Sequence, residues 1–137
     1  MALGKFLFEE NFDGQDRWEI VVKAEGPITQ HFAVGKGKFK GLGFKDNHNV
    51  RVKYFSDGTI RYREKGVIFA DNGEMAVWTG HGVAHPNKKG GYHGHGSYIF
   101  ETKSNKGKLA SLNNVQGVYE LDSDKNSDGT QKWWEWR

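Results

Sequence analysis

The chain has 137 residues, a formal net charge of +3 and no cysteine. This length suits one domain, residues 1–137, around a single core, and the lack of cysteine excludes disulfides, thiolate metal sites and a cysteine nucleophile. Hydrophobic residues make up only 36% of the chain but aromatic residues reach 14%, so we expect burial to depend on a few large rings.

The sequence predicts strands separated by short, glycine-containing turns. Turn signals recur along the chain, among them Asp13-Gly14, Asp57-Gly58 and Ser127-Asp128-Gly129. Runs rich in aromatic and β-branched residues lie between these turns and are typical of strands. The predicted strands are Lys5–Phe12, Trp18–Lys23, His31–Lys40, Val50–Phe55, Thr59–Phe69, Glu74–Val83, Tyr92–Thr102, Val115–Leu121 and Gln131–Trp136.

The residue pattern within these runs indicates strands with one buried face. Phe6, Phe8 and Phe12 are spaced to point to the same face of one strand. Val50 and Val52 are spaced in the same way on another strand, with their shared face buried. No stretch has a convincing helical period, and the best helical candidate is Lys108–Asn113. We therefore predict an all-β fold, an antiparallel β-barrel of eight or nine strands. A β-sandwich or jelly roll is the alternative, and glycines within the strands favour the barrel because they permit sharp bends.

One segment near the C-terminus matches a calcium-binding loop. From Asp124 to Glu135 the residues satisfy the pattern D-x-[DN]-x-[DN]-G-x₅-E, with Asp124, Asn126 and Asp128 as oxygen donors. However, Lys132 stands where the loop needs a small oxygen donor, and the flanking segments look like strands instead of helices. We favour a β-hairpin with a polar tip over a calcium site.

A second segment concentrates four histidines in one predicted hairpin, Glu74–Thr102. With a loop at Pro86–Gly90, His81 would lie opposite His95, and all four histidines would share one face. Such imidazoles favour a divalent transition metal, contact with a ligand, or acid–base chemistry; a structural or surface role is equally open. The candidate metal ligands are His81, His85, His93 and His95, and the candidate ligand-binding residues are Trp78, His81, His93, His95, Tyr98 and Glu101. His31 and His48 stand alone in the sequence, and we assign them no role.

Several glycine-rich segments resemble the allene oxide cyclase-like β-barrels, especially small uncharacterised bacterial relatives. These segments are VGKGKFKGLG, DGTIRYREKG, GEMAVWTGHGVA, GSYIFET and KLASLNNVQGVYEL, and the resemblance runs from about Trp18 to Trp136. It implies an eight-stranded barrel, often oligomeric, that binds hydrophobic small molecules in the barrel mouth. The plant enzymes of this family cyclise an unstable fatty-acid epoxide by holding its conformation. No catalytic residue transfers to this chain.

We therefore predict a protein that binds a small hydrophobic molecule. If the protein is an enzyme, we expect an isomerase or cyclase that acts by shaping its ligand. One alternative is a carbohydrate-binding module that uses tryptophans as stacking platforms, and another is a histidine-rich metal-binding protein. The tryptophans are Trp18, Trp78, Trp133, Trp134 and Trp136. We expect a soluble, cytoplasmic protein, with a homo-oligomer as one option. Nucleic acid is an unfavoured partner because the lysines fall in turn-like stretches.

Overall fold

The protein is a closed barrel of eight antiparallel strands. The computed structural model describes residues 4–23 and 26–136, with side chains for residues 4–14 and 27–136. Each strand pairs with its neighbours in the sequence, and β1 pairs with β8 to close the sheet. The predicted antiparallel barrel is confirmed, and the sandwich alternative is excluded by this closure. The strands are β1 Lys5–Lys23, β2 Gly26–Phe39, β3 Leu42–Tyr54, β4 Ile60–Ala70, β5 Met75–Pro86, β6 Gly90–Glu101, β7 Gln116–Asp124 and β8 Gly129–Glu135.

Most predicted strand boundaries differ from the structure by a few residues, and the largest differences are in β1 and β3. The segments predicted as two strands around Asp13-Gly14 form the single strand β1, which absorbs the expected turn as a bulge between Gly14 and Asp16. β3 begins at Leu42 and not at Val50, because the polar run 46–49 lies within the strand. Because Asp and Asn are depleted in strands, the sequence alone predicts a loop for this run.

The two ends of the barrel are closed differently. The upper end carries the turns at residues 55–59, 87–89 and 125–128, and the lower end carries those at 40–41 and 71–74 with the segment 102–115. Within that segment a short 3₁₀ helix, Lys108–Leu112, stands where the sequence suggested a helical turn. Its Leu109 and Leu112 are buried and plug the lower end. Among the described residues, no helix has the length and hydrophobicity of a transmembrane segment.

Aromatic rings fill the lower half of the barrel. Trp133 is completely buried and stacks on Tyr119 with 5.2 Å between ring centroids, while Trp78 meets it edge-on at 4.7 Å. Phe8 packs beside Trp133 at 5.3 Å. Each such pair adds about 0.5–1.5 kcal/mol beyond simple burial. Phe6 does not join them: the register shifts between Phe6 and Phe8, which leaves Phe6 49% exposed.

Candidate functional site

A cavity of about 300 Å³ occupies the upper half of the barrel. Its walls are mainly apolar and include Val52, Ile60 and Leu121. Toward the middle of the barrel it ends on polar side chains, among them His48 and Glu64. Ligand sites are commonly apolar cavities with a few convergent polar groups, so the lumen has the form of such a site.

The polar residues at the inner end of the cavity belong to a larger set of buried polar residues that we call the polar layer. These residues come from four strands and have relative exposures of 3% or less. They point inward because each stands at the inward-facing position of its strand, as Glu10 does between the inward-facing Phe8 and Phe12. The polar layer consists of Glu10 on β1, Asp46 and His48 on β3, Glu64 on β4 and Gln131 on β8.

Only part of the polar layer is hydrogen-bonded within the described residues. The indole Nε1 of Trp78 donates to Oδ1 of Asp46 at 2.9 Å, and the hydroxyl of Tyr119 donates to Oε2 of Glu64. Nδ1 of His48 lies 3.8 Å from Oε1 of Glu64, too far for a hydrogen bond. By hydrogen-bond geometry, no partner among the described residues is found for either oxygen of Glu10, for Oδ2 of Asp46, for either nitrogen of His48 or for Nε2 of Gln131. Side-chain interactions between Glu10 and Asp46 and between Glu64 and Gln131 nevertheless contribute to the pKa shifts of the carboxyl groups. These buried groups remain able to bind a ligand or an ion.

Burial shifts the protonation of the polar layer toward its neutral forms. It raises the pKa of Glu64 to about 8, against an opposing hydrogen bond from Tyr119. The pKa of Glu10 is raised by burial and then by the neighbouring Asp46 carboxylate, and burial also raises the pKa of Asp46. Burial lowers the pKa of His48, although Asp46 partly opposes this. The cause is the same throughout, since a low-dielectric interior disfavours charge.

The structure places the four hairpin histidines on the outer surface of β5 and β6. All four are exposed, and the register differs by two residues from the one we expected: His85 lies opposite His93, and His81 lies opposite Ser97. His95 lies opposite Val83, and His93 Nδ1 is 3.8 Å from an oxygen of Asp122. The shift of two preserves parity, so the predicted shared face is retained.

The six sequence-predicted ligand-binding residues are divided by the barrel wall. Trp78 and Tyr98 lie inside, 1% and 2% exposed. Glu101 lies outside and is exposed, as are the three histidines of this set, His81, His93 and His95. The structure therefore brings the two aromatic residues into the core and leaves the other four on the surface.

The calcium-like segment forms the tip of the β7–β8 hairpin. Oδ1 of Asp124 accepts the backbone N–H groups of Asn126 and Asp128 at 2.8 and 3.2 Å. Asp128 Oδ1 accepts the N–H of Gly14 from β1 at 3.2 Å. Glu135 lies at the far end of β8, paired with Lys5. These side chains thus order the turn and tie it to β1.

The tryptophans proposed as sugar platforms are mostly internal. Trp78 and Trp133 are buried, Trp134 is partly exposed and packs edge-on against Phe6, and Trp136 is 67% exposed. The side chain of Trp18 lies outside the described residues. Among the described tryptophans, only Trp136 has the exposure that a stacking platform needs.

A depression of about 1140 Å³ lies on the outer face of the sheet, near Arg51, Arg63, Lys65 and His81. Arg51 and Arg63 stand directly opposite each other on β3 and β4. Among the described residues, no carboxylate forms an ion pair with either arginine. The lumen cavity, in contrast, reaches buried polar atoms that have no hydrogen-bond partner among the described residues, so we assign the candidate site to the lumen.

Sequence reasoning missed the polar layer, although the alternation contained a signal for it. Extending the inward parity of Val50 and Val52 back along β3 reaches His48 and Asp46, and Glu10 lies between Phe8 and Phe12. Neighbouring residues of a strand point in opposite directions, and accordingly Glu9 is exposed and Glu10 is buried. A charged residue flanked by inward-facing apolar residues was the available clue.

Comparisons with solved structures find the same architecture in three bacterial proteins. A conserved protein of unknown function from Rhodopseudomonas palustris has a TM-score of 0.74 at 12% identity, over 94% of this chain and 95% of its own. A β-barrel-like protein from Acinetobacter baumannii has a TM-score of 0.77 at 16% identity, over 94% and 92%. A protein with unknown function from Clostridium acetobutylicum has a TM-score of 0.77 at 14% identity, over 97% and 98%.

No protein-family model and no curated protein sequence matches the chain. At identities of 12–16%, the structural likeness establishes a shared fold and not a shared activity. The chain is thus a small eight-stranded β-barrel protein of the architecture found in these bacterial proteins.

Proposed function

We propose that this protein binds a small, largely apolar molecule carrying one polar group, in the cavity of the barrel lumen. The observation that carries the proposal is the combination of apolar walls with a polar layer at one end of the same cavity. Apolar walls favour a hydrophobic ligand, and unpartnered polar atoms favour one oxygen or nitrogen at its inner end.

The size of the cavity limits the ligand. An apolar protein cavity of about 150 Å³ is enough for benzene. A cavity of about 300 Å³ therefore suits a molecule of roughly a dozen non-hydrogen atoms. This corresponds to a medium-chain or monocyclic compound and is too small for a whole long-chain lipid.

The polar layer gives the ligand an orientation. His48 and Gln131 both line the cavity, and their Nε2 atoms have no hydrogen-bond partner among the described residues. Leaving a buried polar atom unpaired costs about 1–3 kcal/mol. A ligand hydroxyl or carbonyl that reached these atoms would recover part of that cost, so an alcohol or ketone should bind more tightly than a hydrocarbon of equal size.

Cavity filling provides the first test. Ala84 lines the cavity and is fully buried, whereas the adjacent Val83 is 37% exposed on the outside. We expect cyclohexanol, titrated into ¹⁵N-labelled protein, to shift the amide resonances of lumen residues saturably. Ala84→Leu should weaken this binding at least tenfold, while Val83→Leu, the matched control on the outer face, should not. Equal binding by Ala84→Leu, in a variant that retains the wild-type circular dichroism, would overturn the proposal.

An isosteric ligand pair tests the polar end. Cyclohexanol and methylcyclohexane have the same number of non-hydrogen atoms and differ in one hydroxyl. We expect the wild type to prefer the alcohol, and Gln131→Met, which keeps an unbranched side chain of similar length, to reduce that preference. Tighter binding of methylcyclohexane by the wild type would contradict a polar recognition point.

The isomerase or cyclase activity implied by the family resemblance is a proposal about the same cavity. Its support is the position of the cavity inside the barrel, where the surrounding walls would hold a flexible ligand in a folded conformer. Incubation with small unsaturated epoxides, followed by chiral chromatography, tests it. Wild-type protein should enrich one cyclic product and Ala84→Leu should not; a product ratio equal to that in buffer would refute the activity while leaving simple binding intact.

A further inference from the structure

The side chains of Glu10, Asp46 and His48 form a compact group of metal-ligating atoms inside the barrel. One oxygen or nitrogen from each residue lies within 4.8 Å of those of the other two. Within the described part of the chain, no other group of three metal-ligating side chains meets this spacing. It comes from β1 and β3, and it is separate from the four histidines on the outer surface.

The group is buried, and five of its six carboxylate and imidazole atoms have no hydrogen-bond partner among the described residues. Glu10 and Asp46 are 0% exposed and His48 is 2% exposed. Both oxygens of Glu10, Oδ2 of Asp46 and both nitrogens of His48 have no hydrogen-bond partner among the described residues. No lysine or arginine is among the buried side chains that the structure describes. A divalent cation would bind the carboxylates in their charged form and would give these buried atoms the partner that they lack.

The neighbours of the group support it as a binding site. Trp78 donates to Oδ1 of Asp46, which fixes this carboxylate while leaving Oδ2 available. Second-shell donors of this kind typically orient metal ligands. Gly35 provides room for the other carboxylate, since a Cβ there would lie 2.9 Å from Cδ of Glu10. An ordinary side chain at Gly35 would displace the carboxyl group of Glu10.

We propose that Glu10, Asp46 and His48 bind one divalent transition-metal ion inside the barrel. Two carboxylates and one imidazole are a donor set that suits Mn²⁺, Fe²⁺ or Zn²⁺. His48 and Glu64 also line the lumen cavity, which gives the ion a route from the upper end. This metal site does not depend on the proposed binding of a small molecule, because the three metal-binding residues are identified from their own spacing.

Titration of the tag-free, EDTA-treated chain with Zn²⁺ tests the proposal. We expect one tight equivalent by calorimetry, accompanied by a rise in the thermal midpoint that grows with free Zn²⁺. Glu10→Gln should weaken this binding at least tenfold. Glu9→Gln is the matched control, because Glu9 is the adjacent, exposed carboxylate on the same strand. Equal affinity in the two variants, or no binding by the wild type, would overturn the site.

A second measurement locates the ion without a substitution in the core. Mn²⁺ added to ¹⁵N-labelled wild-type protein should broaden first the amide resonances around Glu10, Asp46 and His48 through paramagnetic relaxation. Replacing the exposed His93 and His95 with Gln should leave this broadening unchanged. Broadening confined to the outer surface of β5 and β6, and lost in that double variant, would show an exterior site and refute the interior one.

Discussion

The indole nitrogen of Trp78 donates a 2.9 Å hydrogen bond to Oδ1 of Asp46 in the interior of the barrel. Both residues are almost completely buried. The bond joins the aromatic core to the polar layer, so the packing of the lower half and the geometry of the candidate site depend on each other.

Trp78→Phe should destabilise the metal-free protein by about 2–4 kcal/mol, because a buried acceptor loses its donor and part of the ring volume is lost. Urea unfolding followed by far-UV circular dichroism measures the change. The partner test is a double-mutant cycle with Asp46→Ala, which should give a coupling of about 1–3 kcal/mol. Additive effects of the two substitutions would show that the hydrogen bond contributes little.

Gly66→Ala should destabilise the fold severely. A Cβ at Gly66 would lie 2.2 Å from Nε1 of Trp78 and 2.7 Å from Oδ1 of Asp46, so neither partner could keep its position. We expect a loss of about 3 kcal/mol or more, since overpacking of this kind forces rotamer and backbone shifts. Thermal unfolding of the variant measures this loss. If the clash is the cause, Trp78→Phe should reduce the free energy of unfolding by less in the Gly66→Ala variant than in the wild type.

Stability of the metal-free protein should fall as the pH rises from about 6.5 to 8. The pKa of Glu64 is raised to about 8 in the folded state, so the folded protein holds a proton that the unfolded chain releases. The raised pKa values of Glu10 and Asp46 act in the same direction. The lowered pKa of His48 acts oppositely, but only as the pH falls below its unfolded value of 6.5. The window above 6.5 therefore isolates the carboxyl groups.

Over this window we expect a loss of about 2 kcal/mol from Glu64 alone, at roughly 1.4 kcal/mol per pH unit. Guanidinium unfolding at several pH values measures it. Glu64→Gln should flatten the profile, while the exposed Glu120→Gln should leave it unchanged. A stability that increases between pH 6.5 and 8 would be inconsistent with a protonated Glu64.

Leu109→Ala should destabilise the protein by about 2–5 kcal/mol, because Leu109 is 1% exposed and its loss opens a cavity in the lower plug. Affinity for a ligand in the upper cavity should be unchanged, since the aromatic core separates the two. Ser111→Ala, on the exposed side of the same 3₁₀ helix, should change stability by no more than about 0.5 kcal/mol. Ligand binding that collapses with Leu109→Ala in a folded variant would contradict this separation.

Arg63→Glu should stabilise the protein by about 0.2–1 kcal/mol. Arg51 and Arg63 are directly opposite across β3 and β4, and like charges at such positions repel. The substitution replaces that repulsion with an attractive cross-strand pair. Unfolding in low salt should show the gain, and about 1 M salt should remove most of it. A gain that persists in high salt would point to packing instead of charge.

The barrel was predictable from the sequence because its strands alternate clearly where their inward residues are apolar. The strand around Val50 and Val52 shows this, and glycine-rich turns separated most of the runs. The polar layer was not predictable in the same way. A sequence pattern that scores apolar residues as buried treats Asp46 and His48 as a loop, and only the closed sheet shows that they face inward. The homo-oligomer and the cytoplasmic location stay predictions.

The prominent histidines attracted attention because they are clustered in the sequence, whereas His48 is isolated. Clustering along one hairpin guarantees proximity only within that hairpin, and here it places all four imidazoles on the exterior. The residues that do converge inside, such as Glu10 and Asp46, are separated by two strand connections. Their proximity results from the curvature of the closed sheet, which the spacing of residues along the chain does not encode.

The seam between β1 and β8 sets Glu10 directly opposite Gln131. During translation, the strand bearing Glu10 emerges early but must wait for the last strand before it finds this neighbour. Pairing across such a long stretch of chain is slow relative to hairpin formation. A molecule bound in the lumen as proposed would therefore be enclosed only after β1 and β8 have paired, and transient opening of this seam would release it before the other strand pairs separate.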